Sequence, residues 1–101
     1  MEDIGKEEGV RHETVTMGDN QFELLQGNYI IVGVFSTFEN AERYSDQLHK
    51  IGQSVKWGFN SQKNYWYVYI YYSRTTDDIR THLQQIRTVP QLKEAWLLTV
   101  Q

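Results

Sequence analysis

The hydrophobic positions between residues 28 and 52 form first a strand pattern and then a helix pattern. Residues 28–35 are a continuous β-branched and aromatic run of strand length. Ser36 and Glu39 follow with the spacing of a capping box, in which both side chains bond amides that the first helical turn leaves free. The next apolar residues recur at spacings of three, four and three, the period of a helix: Ala41, Tyr44, Leu48 and Ile51. Gly52 is a residue type that commonly closes a helix, so the helix is predicted to end there.

The rest of the chain repeats these patterns as two strands, a second helix and a last strand. The two strands are predicted at 54–59 and 65–72, separated by a polar turn. The second helix is predicted to begin at Thr75 or Thr76. Two acidic residues in its first turn complement the helix dipole, and its apolar stripe is Ile79, Leu83 and Ile86. A final strand is predicted at 95–100.

The element order is therefore βαββαβ, and its two halves resemble each other weakly. Two βαβ units that share one sheet form the ferredoxin-like split arrangement. The predicted fold class is α+β, with a four-stranded antiparallel sheet and both helices on one face. The opposite face, called the non-helical face below, is left open in that topology, so a binding function is expected there.

The predicted third strand places a row of tyrosines on the non-helical face. Successive side chains of a strand point to opposite faces. Trp66, Val68 and Ile70 form the more apolar row, which is expected to meet the helices. The other row is then expected to line the non-helical face: Tyr65, Tyr67, Tyr69 and Tyr71. The alternative is that tyrosines simply suit a half-exposed strand.

The predicted first strand contributes a second row to the same face. If its alternation is unbroken, the residues that point away from the helices are Tyr29, Ile31, Gly33 and, at the end, Phe35. Gly33 is expected to form a shallow floor beside the tyrosines. Trp96 of the last strand either contacts the edge of this surface or points inward. The predicted ligand-binding residues are therefore Tyr29, Ile31, Gly33, Tyr65, Tyr67, Tyr69, Tyr71 and Trp96.

Charge divides the chain into two parts at Gly27. The net charge is −3 over 101 residues, but the first 26 residues hold seven acidic and two basic residues, whereas the remainder holds six acidic and eight basic ones. Residues 1 to about 22 show neither helix nor strand period and have few large apolar groups, so they cannot bury enough surface to offset chain entropy. We predict a flexible acidic leader over 1–26 and one folded domain over 27–101. Removal of residues 1 to about 22 is expected to leave the melting temperature nearly unchanged.

Composition excludes several classes of protein and of site. No apolar run reaches the roughly 18 to 20 residues that span a bilayer, and the acidic start lacks the features of a secretory signal. The absence of Cys removes disulfides, thiolate metal sites and cysteine nucleophiles. The three His residues share no predicted pocket, and no phosphate loop or nucleophile elbow is present. We therefore predict a binding domain that is not an enzyme and needs neither a metal nor a cofactor.

The first strand and helix resemble the opening motif of the SPOR (sporulation-related) domain family. That motif commonly reads aromatic, x, Val, Gln, Val, Gly, x, Phe, then Ser and a helix that begins Glu, x, Ala. Here residues 29–36 and 39–41 carry the resemblance, which extends over 27–101. The family's frequent Gln is Ile31, and the Gly and Phe expected in the second copy are replaced within 71–73.

The resemblance implies a βαββαβ fold and binding to peptidoglycan, with a preference for glycan strands stripped of stem peptides. It also implies a periplasmic or cell-envelope location in a bacterial protein, often one of cell division. A glycan presents C–H patches flanked by hydroxyls, and tyrosine offers a ring face for the one and a polar tip for the other. Lys63 and Arg74 at the rim are expected to reach carbonyl or carboxylate groups of the glycan.

Two other functions use the same face and stay open from the sequence. RNA recognition motifs stack bases on aromatic residues of this fold, and residues 63–70 match part of their signature. A small positive charge on 27–101 gives only weak attraction for phosphates, so no nucleic acid partner is predicted. A protein-interaction module that docks through exposed aromatic residues is the third reading. The isolated domain is predicted to be monomeric.

Overall fold

The structure is a computed structural model and describes residues 11–101. A short 3₁₀ helix at Pro90–Leu92 precedes the last strand. The regular elements are β1 (His12–Val15), β2 (Gly27–Phe35), α1 (Phe38–Lys50), β3 (Lys56–Asn60), β4 (Tyr65–Ser73), α2 (Ile79–Ile86) and β5 (Trp96–Val100).

One five-stranded sheet has the strand order β1, β5, β2, β4, β3. The strands β2 to β5 correspond to the four predicted ones, and all their pairings are antiparallel, with β2 and β4 in the centre. Both helices pack on one face of these strands. The predicted ferredoxin-like α+β fold is therefore confirmed, with one addition. The extra strand β1 pairs in parallel with β5 at the edge, and the sequence pattern did not predict it.

The helices follow their predicted apolar stripes but are capped differently. The hydroxyl of Thr37, not that of Ser36, accepts a hydrogen bond from the Asn40 amide at 3.3 Å. Ahead of α2, Asp78 takes a left-handed conformation with φ of 61°, and its side chain makes no capping bond. The buried residues of the stripes fall where periodicity placed them, on Ala41, Leu48, Ile79 and Leu83, whereas Ile51 follows the helix and is 45% exposed.

Two bulges interrupt the pairing of β2 with β4, and each reverses the alternation of side chains. Ile30 pairs with Tyr71 and Ile31 with Tyr69, so Ile70 is an extra residue on β4. Gly33 then pairs with Val68, which leaves Val32 as the extra residue on β2. Because directly paired residues point to the same face, Gly33 shares the helix side with Val68.

The residues before β2 are built onto the sheet at both edges. His12–Val15 forms β1 beside β5, and Val15 is buried. Further on, the Leu24 amide donates to the Phe59 carbonyl at 2.9 Å, and the Phe59 amide donates to the Phe22 carbonyl at 2.8 Å. The structure thus differs from the predicted flexible leader at residues 11–26, while residues 1–10 lie outside the described part. Edge strands covered in this way present fewer unpaired backbone groups.

Candidate functional site

The structure places six of the eight predicted ligand residues on the non-helical face. Ile31 pairs with both Tyr69 of β4 and Trp96 of β5, which fixes the face of all three residues. Trp96 therefore lies on this side of the sheet together with Leu98 and Val100, and because it is only 5% exposed it takes the inward one of its two predicted positions. The six residues are Tyr29, Ile31, Tyr65, Tyr67, Tyr69 and Trp96.

Gly33 and Tyr71 lie on the opposite side, and their predicted positions are wrong. A Cβ atom on Gly33 would come within 2.9 Å of the Tyr44 ring on α1. The Tyr71 ring stacks on His82 of α2 with centroids 4.2 Å apart. Phe35 also turns toward the helices, where its ring lies 5.4 Å from that of Tyr44. The cause is the pair of bulges, each of which moves the following residues to the other face.

Tyr72 replaces Tyr71 on the non-helical face. Its ring centroid lies 4.8 Å from that of Tyr29, and Tyr29 is equally close to Tyr69 at 4.8 Å. Strand alternation assigned Tyr72 to the helix side, and sequence reasoning therefore missed it. No local sequence signal marks the bulge at Ile70 that changes its direction.

Much of the non-helical face is covered by the segment of residues 17–26, here called the strap. Beneath it, Tyr29 is 2% exposed, Ile31 0% and Tyr67 1%. Leu24 of the strap is buried in the same hydrophobic cluster and sits over Gly58 of β3. At the β5 edge, the Arg11 guanidinium lies 3.7 Å from the centroid of the Trp96 ring. The face predicted to be open is thus largely closed.

Hydrogen bonds hold the strap on the sheet. The Tyr29 hydroxyl donates to the Leu25 carbonyl at 2.8 Å, and the Tyr72 hydroxyl donates to the Gln26 carbonyl at 2.5 Å. The Glu23 carboxylate accepts from the amides of Gly18 at 3.1 Å and of Ser61 at 3.0 Å. One acidic side chain therefore ties the strap to the turn between β3 and β4.

A groove stays open beside the strap, where β4 extends beyond the start of β3. It encloses 560 Å³ and combines aromatic, hydroxyl and ammonium groups. Tyr69 and Tyr72 in its wall are half-buried, while Lys56 and Ser54 are exposed. Its lining is completed by Leu25, Ile70 and Tyr71.

The two predicted rim cations do not border this groove. Lys63 lies in the turn between β3 and β4. Arg74 lines a separate polar cavity of 330 Å³ with Asn28, Thr99 and Gln101. The cation that borders the groove is Lys56, not Lys63 or Arg74 as predicted.

Burial affects the ionisation of three phenols of this face, those of Tyr29, Tyr67 and Tyr69. It raises the pKa of Tyr29, with further upward contributions from Tyr69 and Tyr72, and it raises the pKa of Tyr69 and of Tyr67. Since an unperturbed tyrosine titrates near 10, these hydroxyls are neutral at physiological pH and available as hydrogen-bond donors.

We expect stability to fall at alkaline pH for the same reason. A group whose pKa is raised by folding stabilises the fold fully below its unfolded pKa of about 10, and that contribution is lost as the pH rises through the folded pKa. The urea midpoint should be level from about pH 7 to 9 and decline above about pH 10. Tyrosinate absorbance at 295 nm should show late titration of the buried phenols. Titration of all seven tyrosines together near pH 10, with no loss of stability, would contradict this assignment.

The described residues offer neither a metal site nor a membrane span. No group of three or more His, Asp or Glu side chains within 11–101 is arranged to hold a metal ion. Over the same residues, no helix has the length and apolar character needed to cross a membrane.

Comparison with known proteins identifies the family. The family model described as SPOR domain matches residues 26–99. Neither the curated proteins nor the solved structures contain a match to this chain. SPOR domains are peptidoglycan-binding modules of cell-division proteins, they occur in periplasmic or cell-envelope proteins, and they are generally not catalytic. With the βαββαβ core in place over the matched residues, this chain belongs to the SPOR domain family.

Proposed function

We propose that the domain binds the glycan strands of peptidoglycan in the groove beside β4, through the ring faces of Tyr69 and Tyr72 and the hydroxyl of Tyr69. The observation that carries the proposal is the composition of this groove, in which tyrosines stand next to Ser54 and Lys56. Membership of the SPOR family indicates the class of ligand, and the side chains of the groove have the chemistry to bind it.

The groove matches the two kinds of surface that a glycan strand presents. Sugar C–H groups pack on aromatic rings, and phenol hydroxyls bond the flanking hydroxyl and acetamido groups. The Lys56 ammonium carries three donors on a flexible stem and suits a carbonyl or a carboxylate of the glycan. Tyr65 is 42% exposed and lies about 13 Å further along the same row of β4, a position from which it contacts a longer strand.

The test is sedimentation of the purified protein with peptidoglycan that an amidase has stripped of stem peptides. Tyr69→Ala should weaken binding by about tenfold, which corresponds to ~1.4 kcal/mol. Tyr44→Ala is the matched control, because Tyr44 is also half-buried and also has a pKa raised by burial, yet it lies on α1 across the sheet. Equal sedimentation of the two variants would reject the groove as the site.

Charge and salt separate this function from the RNA alternative. Lys56→Gln should weaken binding more than Lys50→Gln, another exposed lysine, at the end of α1. A glycan held by ring packing should bind nearly as well at 200 mM as at 50 mM salt, whereas RNA affinity falls steeply over that range. Steep salt dependence, or saturable binding of single-stranded RNA in place of peptidoglycan, would favour the nucleic acid reading.

A further inference from the structure

The strap covers residues of the predicted ligand face while burying little of itself. Three of its four large apolar side chains are exposed: Met17 at 45%, Phe22 at 47% and Leu25 at 65%. Leu24 alone is buried, at 4% exposure. Phe22 keeps part of its ring against Trp57 and Trp66, with centroids 6.0 Å apart in each case. The strap is thus held by one buried apolar side chain and one half-exposed ring, and it detaches more readily than the strands it covers, because local opening depends on how much apolar surface is lost.

Two polar contacts of the strap are of a kind that an N-acetylated sugar can also make. The hydroxyls of Tyr29 and Tyr72 both donate to backbone carbonyls, those of Leu25 and Gln26. A backbone carbonyl and the carbonyl of an acetamido group are the same functional group, so either one satisfies a phenol donor. The strap thus occupies two tyrosine donors in the manner of a ligand.

A buried side-chain amide lies on the same face. Asn60 is 1% exposed, and its Nδ2 atom faces the Tyr67 hydroxyl without forming a hydrogen bond of good geometry. Its Oδ1 atom accepts from the amides of Gln62 at 3.0 Å and Lys63 at 3.2 Å, which fixes the orientation of the amide group. Asn60 pairs with Tyr65, so it belongs to the row of the non-helical face. A poorly bonded buried N–H donor gains free energy when a ligand supplies a better acceptor.

We propose that the strap is an internal competitor for the glycan: when closed it occupies the place of acetamido groups over the tyrosines, and when open it releases Tyr29, Tyr67 and Asn60 for binding. The proposal rests on the glycan-binding function proposed above and adds its regulation. The domain then has a shallow site at the groove in the closed state and a deeper one when the strap is released. Whatever loosens residues 17–26 strengthens binding to peptidoglycan.

A reversible covalent lock tests this directly, because the chain has no Cys of its own. A Cβ atom built on Gly58 lies 3.1 Å from Leu24 Cγ, which brings positions 24 and 58 within the reach of a disulfide. In the double variant Leu24→Cys, Gly58→Cys, oxidation should hold the strap closed and reduction should free it. We expect at least tenfold weaker sedimentation with amidase-treated peptidoglycan for the oxidised form than for the reduced form. The parent should not respond to the reductant.

A second variant removes the polar anchor without a crosslink. Glu23→Ala eliminates the bonds from Gly18 and Ser61 and should strengthen binding about three- to tenfold. Asp19→Ala is the control, because it removes the same charge from the same segment and should leave binding unchanged. Both variants must first show the parent's circular dichroism spectrum.

The outcomes distinguish the two proposals. If the reduced double variant and Glu23→Ala both fail to sediment, the glycan-binding function itself is wrong. If they sediment but the oxidised form binds as well as the reduced one, or if Glu23→Ala binds no better than Asp19→Ala, the strap is only structural and the regulation is overturned. Tenfold weaker binding in the oxidised form, together with stronger binding by Glu23→Ala, supports both.

Discussion

Replacing Tyr67 with alanine is expected to lower the free energy of unfolding by about 3 to 5 kcal/mol, the range for truncating a fully buried aromatic side chain. Tyr67 is 1% exposed and packs on Trp96 with ring centroids 6.2 Å apart. Truncation leaves a ring-sized cavity between the sheet and the strap. The melting temperature should fall by about 12 to 40 °C in a domain of this size, measured by circular dichroism.

Tyr65→Ala is the matched control for this experiment. The two residues belong to one row of β4, and their rings lie 6.4 Å apart, but Tyr65 is 42% exposed. Its truncation should cost less than about 1 kcal/mol, since little apolar surface is returned to water. If both variants melt within a few degrees of the parent, Tyr67 is not covered as the structure shows, and the strap does not close over it.

Deletion of residues 1–16 is expected to destabilise the domain by about 2 kcal/mol and to lower its melting temperature by about 8 to 16 °C. The deletion removes β1, whose Val15 is 8% exposed, and uncovers the edge of β5. Burying a valine contributes about 1.5 to 3 kcal/mol, and the lost backbone bonds are partly offset by the entropy that residues 11–16 regain. Thermal denaturation of the shortened chain gives the measurement.

A chain that lacks only residues 1–10 is the comparison for that deletion. The difference between the two shortened chains belongs to residues 11–16, which the structure describes. Identical melting temperatures would restore the prediction of a flexible leader for that stretch. A clear difference would establish that the folded unit begins before Gly27, where the charge pattern divided the chain.

The succession of strands and helices was predictable because each element carries its own period. The apolar spacing through Ala41 and Leu48 fits a helix that packs on a sheet. The run 65–72 has strong strand propensity throughout. Short loops between such elements leave few topologies, and the ferredoxin-like order is one of them. Family membership followed from the same residues, since the motif beginning at Tyr29 lies on β2 and at the start of α1.

The composition of the candidate site was predictable only in part. Tyr69 was placed on the correct face by alternation, because no bulge lies between it and Tyr65 in β4. Tyr71 and Tyr72 exchanged faces because the extra residue Ile70 depends on how β4 pairs with β2. The register of two paired strands depends on the residues of both, so it cannot be predicted from the sequence of either strand alone.

Local sequence patterns are enough to predict the elements, their order, the apolar helix stripes and the tyrosine-rich strand, because these depend on contacts between residues close in the chain. What covers the tyrosines depends on contacts that form only in the folded chain. Residues 11–26 lack periodicity, yet Val15 pairs beside Val100 and Leu24 lies over Gly58, partners more than thirty positions away along the chain. Such a segment becomes ordered on a surface that exists only after the sheet has formed. Its ordered conformation therefore cannot be predicted from a local pattern in its own residues.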